Sequence, residues 1–197
     1  MIKLGVFYFV DGDLKKNVES IKSFFKTKSN ESKYLNHLVH STFYVFEIES
    51  KKINDVIEKF QSLQKFLSPV SSKINKWRVF ENDILTNLNT LCLEIELSKD
   101  LFNLQMNVVN SFLGTHLKKP NTDFEGLLKE SYNQYGYPFV GEHWIPHITI
   151  GSLDIEKKKS TEFSEEMINF PITIKINNLG LFKIEADSHS LIKRIEF

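Results

Sequence analysis

Residues 40 to 48 read His40-Ser41-Thr42-Phe43-Tyr44-Val45-Phe46-Glu47-Ile48, a run dense in β-branched and aromatic side chains that predicts a strand buried on both faces. A second run, Pro146-His147-Ile148-Thr149-Ile150-Gly151-Ser152-Leu153, is strand-like in the same way. Each carries the tripeptide His-x-Thr near its start, as His40-Ser41-Thr42 and His147-Ile148-Thr149. Side chains at i and i+2 of a strand point to one face, about 7 Å apart at ~3.3 Å rise per residue. Each imidazole therefore shares a surface with a hydroxyl.

The flanking segments set these two runs in matching places. Lys3 to Val10 predicts a first strand, and Asp11-Gly12-Asp13 a turn and helix N-cap. Val18, Ile21 and Phe25 recur at helical spacing up to a polar loop at Lys28 to Ser32. Beyond the first motif, Ile53, Val56, Ile57, Phe60, Leu63 and Leu67 form one helix face that stops before Pro69, and Ile74 to Phe80 predicts a strand. The pattern then restarts. Leu91, Leu93, Ile95 and Leu97 alternate with Cys92, Glu94 and Glu96 as a half-buried strand, and Leu101, Leu104, Val108 and Phe112 follow as a helix. Lys118 to Trp144 reads as irregular, Phe163 to Ile168 as a short helix, and 172–176, 181–184 and 190–195 as closing strands. Strand, helix, strand, helix, strand in each half predicts one α+β domain of two similar lobes, about 1–80 and 88–197.

Composition narrows the function. Hydrophobic residues make up 41% and charged residues 25% of 197, as in ordinary globular proteins. Lys plus Arg and Asp plus Glu each number 25, so no global basic field draws in nucleic acid and any such ligand is recognised locally. The opening apolar stretch reaches Asp11 without a cleavage site, and no later run approaches the roughly 18 apolar residues of a membrane span. The lone Cys92 forms no intramolecular disulfide and fits a reducing compartment. A cytoplasmic monomer without membrane contact is expected.

Cleaving a phosphodiester needs a base for the attacking oxygen and an acid for the departing one, and two histidines with pKa near ~6.5 divide those roles. Thr42 and Thr149 hydroxyls suit hydrogen bonds to the nonbridging oxygens. Neither a metal nor a cofactor is required. His-x-Ser/Thr is common enough to arise by chance; the weight lies in the matching strands, each continuing with an apolar residue, Phe43 and Ile150.

These residues, His40-Ser41-Thr42-Phe43 and Pro146-His147-Ile148-Thr149-Ile150, resemble the motifs of the two-histidine (2H) phosphoesterase superfamily, which includes RNA 2′,3′-cyclic phosphodiesterases and so-called 2′,5′ RNA ligases. The resemblance spans nearly the whole chain. It implies a bilobal fold of mostly antiparallel sheets around a central cleft, His40 and His147 as the acid/base pair, and Thr42 and Thr149 as phosphate ligands. Two departures are Val39 where a proline is usual before the first histidine, and the long 118–143 insertion.

The remaining candidates are weaker. Tyr132 to Phe139 and Trp144 concentrate aromatics before the second motif, where Tyr137 and Trp144 are the better candidates to stack on a nucleobase, an interaction of ~1–3 kcal/mol per base. The competing reading tucks these rings into a lobe interface. His143 and His147 stand at metal-ligand spacing for a helix, but Pro146 argues against a helix there. His37 reads as an exposed loop residue, His116 as a complement to a helix C-terminus, His189 as a hairpin residue without partner, and Lys157-Lys158-Lys159 as a solvated turn. The expected activity is hydrolysis of a 2′,3′-cyclic phosphate or a 2′,5′-linked or cyclic oligonucleotide, with a nucleotide or short RNA as substrate. The alternative is a module that binds a nucleotide or RNA end in the same cleft without turnover.

Overall fold

In the computed structural model, described here for residues 1–117, 124–164, 167–185 and 188–197, the chain is α+β with nine strands in one antiparallel sheet that curls as a half-barrel. The strands are β1 (Ile2–Phe9), β2 (Ser32–Lys33), β3 (His40–Ile48), β4 (Val70–Phe80), β5 (Asn89–Ile95), β6 (His147–Leu153), β7 (Ile172–Ile176), β8 (Asn178–Ile184) and β9 (His189–Glu196). The helices are α1 (Gly12–Lys26), α2 (Ile53–Leu63), α3 (Lys99–Ser111), α4 (Gly126–Tyr135) and α5 (Lys157–Ser164).

Sheet order is β7-β4-β5-β6-β3-β1-β8-β9, with β2 on β6. The two motif strands are thus neighbours at the centre, joined through the single registered pair Ser41 and Ile148. The order is symmetric about that seam. β3 is followed outward by β1 and then β8, β6 by β5 and then β4, so each half of the sheet takes its third strand from the other half of the chain.

One face of the sheet is closed by helices. Val18, Ile21 and Phe25 of α1, Val56 and Phe60 of α2, and Leu101 and Val108 of α3 join Leu4, Val6, Tyr44, Phe46, Leu91 and Ile148 in one buried cluster. These are the helical positions whose spacing marks an apolar stripe, and their burial, not propensity, holds the helices in place. Ser98 caps α3 by accepting from the Leu101 N–H at 3.1 Å. Asp11 occupies the N-cap of α1, as expected, yet its side chain makes no capping bond.

Two local expectations are corrected. The stretch read as irregular contains α4, which buries only Ser131 and so lacks the apolar period that announces a helix. Its end is marked by Gly136 at φ 71, the left-handed cap that glycine adopts without strain. Of the short helix expected at 163–168, residues 163 and 164 end α5, which starts earlier so that the lysine run forms its first turn, and residues 165–166 lie outside the described residues; Lys157 pairs with Glu81 at 2.6 Å. Residues 118–123 of the expected insertion lie outside the described residues. No helix among the described residues is long and apolar enough to cross a membrane.

Candidate active site

The seam between β3 and β6 sets the geometry of the four motif residues. Counting outward from Ser41 opposite Ile148 in an antiparallel pair places His40 opposite Thr149 and Thr42 opposite His147. Ser41 and Ile148 are fully buried on the helix side, while His40, Thr42, His147 and Thr149 are half-buried on the other face. The four form a rectangle. Directly opposed Cβ atoms in such a pair are roughly 4.5–5.5 Å apart and diagonal ones roughly 7–8 Å, so the two imidazoles stand across one diagonal and the two hydroxyls across the other.

Each motif ends in a bulge. Phe7 pairs with Thr42 and Val6 with Tyr44, leaving Phe43 as the extra residue; Cys92 pairs with Thr149 and Leu91 with Gly151, leaving Ile150. Bulges bend a strand and re-aim its side chains, and these two sit at equivalent places, directly after each threonine. Both extra side chains are fully buried. Gln105 of α3, itself fully buried, donates to the carbonyls of Phe43 and Phe139 at 3.2 and 3.3 Å and accepts from the Gly141 N–H at 3.0 Å. One amide thereby ties the first bulge to the loop that leads into the second motif.

The imidazoles are oriented alike. His40 Nδ1 lies 2.7 Å from the Leu38 carbonyl and His147 Nδ1 2.6 Å from the Ile145 carbonyl, in each case two residues upstream. A carbonyl only accepts, so each Nδ1 carries the hydrogen and each Nε2 is left to accept or give a proton. Rings brace both: Phe7 stacks on His40 at 4.2 Å between centroids, and Phe80 meets His147 edge-on at 5.3 Å.

The electrostatic surroundings differ. Burial pushes His40 down to about 3; its bond to the Leu38 carbonyl works against that, whereas His189, Lys22 and His37 add to it. Burial also lowers His147, but Asp83 and Glu94 oppose the shift, and Arg78 favours it. Glu94 pairs directly with His147 across β5 and β6 and is held by Arg78 and by Lys76, the latter at 3.3 Å. Cys92, opposite Thr149, is fully buried and its thiol is pushed up by burial, so it is not a poised nucleophile.

Trp144, expected as a stacking face, is instead 4% exposed; its indole N–H donates to the Thr42 carbonyl at 2.9 Å and its ring lies 5.1 Å from Phe43. It braces the first motif from behind. Tyr137 is half-buried, and burial first, then Tyr34 and Asp83, raise its phenol.

Two histidines to which the local sequence gives no role lie beside His40. His37 is half-buried, and His189 opens β9 with its ring 5.5 Å from that of His40. Nothing in the local sequence signals this, because the contact needs β8 to pair with β1. His116 is 7% exposed and packs against Gly136. Among the described residues, no group of three or more His, Cys, Asp or Glu side chains is placed to hold a metal ion.

No protein-family model matches the sequence, and no curated protein does. Solved structures do match. TT0787 of Thermus thermophilus aligns over 99% of this chain and 97% of its own with a TM-score of 0.67 at 12% identity. A protein described as a phosphoesterase aligns over 100% and 98% with a TM-score of 0.53 at 12% identity. Escherichia coli LigT in complex with 3′-AMP aligns over 100% and 97% with a TM-score of 0.55 at 10% identity. At such identities the likeness establishes a shared fold, and this chain has the fold of LigT and of that phosphoesterase along its whole length.

Proposed function

We propose that this protein is a phosphodiesterase of the two-histidine type, which hydrolyses a 2′,3′-cyclic phosphate or a 2′,5′-linked or cyclic oligonucleotide without a metal. The observation that carries the reading is the rectangle of His40, Thr42, His147 and Thr149, with both Nδ1 hydrogens committed to upstream carbonyls. The same fold in LigT, crystallised with ATP and with 3′-AMP, supports a nucleotide as ligand. The matching bulges support one two-lobed domain built from two repeats.

The unequal surroundings support a division of roles. His40, among groups that disfavour its charge, starts neutral and takes the proton of the attacking water as its oxygen bonds to phosphorus. His147, attended by Asp83 and Glu94, starts charged and gives its proton to the ribose oxygen as the P–O bond breaks. The two proton transfers balance, and the next turnover needs one proton moved between the rings through solvent. Thr42 and Thr149 hydrogen-bond the nonbridging oxygens, where negative charge builds up.

A module that binds without turnover is favoured by one observation: burial lowers both imidazoles, whereas an acid must hold a proton. Phosphate supplies the opposing pull, since a nearby anion raises an imidazole's pKa. Hydrolysis of 2′,3′-cyclic nucleotides and 2′,5′-linked dinucleotides by wild type, His40→Ala and His147→Ala decides between them. Turnover lost in both variants is expected; binding without turnover in wild type leaves the module as the better account.

A further inference from the structure

Three imidazoles gather on the β9 side of the site. His189 has its ring centroid 5.5 Å from that of His40 and 4.6 Å from that of His37. Phe7 packs against both His40, at 4.2 Å, and His189, at 5.3 Å. All three histidines are half-buried, so each keeps an edge toward solvent. Behind them Lys22, 4% exposed, donates to the carbonyls of Tyr34 and His37 at 2.9 and 3.1 Å, which fixes its ammonium at the back of the cluster.

The charges acting on His40 and His189 are cationic, while Lys22 itself has Glu19 acting on it. His189, Lys22 and His37 act on His40, and Lys3 and Lys22 act on His189; among the described residues no carboxylate is in either set. The carboxylates of the site, Asp83 and Glu94, act on His147 instead. Neutral rings that each carry an N–H, backed by the Lys22 ammonium, whose pKa burial lowers to about 8, are complementary to an anion. With one phosphate between His40 and His147, the rings of His37 and His189 stand one ring further out, placed to meet another.

We propose that His37 and His189 form a subsite for a second phosphate of the substrate, one nucleotide unit from the phosphate under attack. The inference rests on the phosphodiesterase reading and names its substrate class: a cyclic-phosphate end that carries another phosphate, rather than a bare cyclic nucleoside. Imidazole suits the task, because the neutral ring offers one N–H and the charged ring two, with the strength of a charge-assisted bond. The second phosphate is either a 5′-monoester on a mononucleotide or an internal diester of a longer RNA.

Three probes separate these cases: adenosine 2′,3′-cyclic phosphate, the same nucleotide with a 5′-phosphate, and an adenylyl dinucleotide ending in the cyclic phosphate. For wild type, kcat/KM on at least one phosphate-bearing probe should exceed that on the bare probe by about tenfold or more, the effect of one charge-assisted contact; which probe gains tells monoester from diester. In His189→Asn and His37→Asn that ratio should fall toward one, chiefly through KM. Equal efficiency on all three probes in wild type, or a ratio kept in both variants, overturns the subsite and leaves the phosphodiesterase reading standing. Cleavage of a 2′,5′-linked dinucleotide but of none of the three probes overturns the subsite alone, and hydrolysis of neither kind of substrate sinks both. Should His189→Asn fail to fold in a thermal melt, the wild-type ratio and His37→Asn still decide.

Discussion

Mild acid should destabilise the folded protein through His40, and the size of the effect follows from where the ring sits. The folded state holds His40 at about 3, first because of burial, against ~6.5 in an unfolded chain. Because the folded value is the lower one, the unfolded chain binds the proton more tightly. The stabilisation is fully present above about pH 6.5 and is lost as pH falls toward 3. At pH 4.5 the gap of about two pH units corresponds to ~2.7 kcal/mol at ~1.36 kcal/mol per unit. The partly exposed edge of the ring reduces this to about 2 kcal/mol, still a large share of a typical ~5–15 kcal/mol. His147 and His189 are lowered as well and add to the loss in the same window. Asparagine at position 40 keeps an N–H donor where Nδ1 meets the Leu38 carbonyl but cannot take up a proton. Urea unfolding followed by tryptophan fluorescence, at pH 7.5 and 4.5, should therefore show wild type losing about 2 kcal/mol more than His40→Asn. Equal losses in the two proteins would refute the desolvated, neutral state of His40 and the assignment of the base with it.

On the proposed reaction, His40→Ala and His147→Ala should each lower turnover by ~10²–10⁴-fold, and the double variant should cost much less than the product of the two losses, because both rings act in one transition state; near-wild-type turnover in either would end the pairing. Thr42→Ala and Thr149→Ala should be milder, each removing one hydrogen bond to a phosphate oxygen and leaving proton transfer in place. Activity should survive EDTA, and complete loss restored by a divalent ion would contradict the His/His mechanism. Gly180→Ala sets a Cβ against the Phe9 ring and 2.6 Å from Cε2 of Phe182, which stacks on Phe7 at 5.1 Å beneath His40. Overpacking of that kind should lower stability by ~1–3 kcal/mol in thermal denaturation.

Local information in the sequence determined much of this protein. The strands β1, β3 and β6 are legible because β-branched and aromatic residues crowd them, and the strand β5 and the helices α1, α2 and α3 because their apolar residues recur at periods of 2 and 3.6, which the backbone imposes on any chain. The pairing of each motif histidine with its threonine on one face is legible for the same reason. What tertiary structure alone decided is which strands meet. The union of β3 with β6, the exchange of β4 and β8 between halves, and the bulges at Phe43 and Ile150 depend on partners far away in the chain. Trp144 misleads because an aromatic ring in a loop has the same local sequence whether it faces solvent or packs behind Thr42. His189 is silent in the sequence because it reaches His40 only once β8 has paired with β1 and β9 with β8. Strand partnership is a property of the whole sheet, set by which buried faces fit together, and no window of sequence contains it.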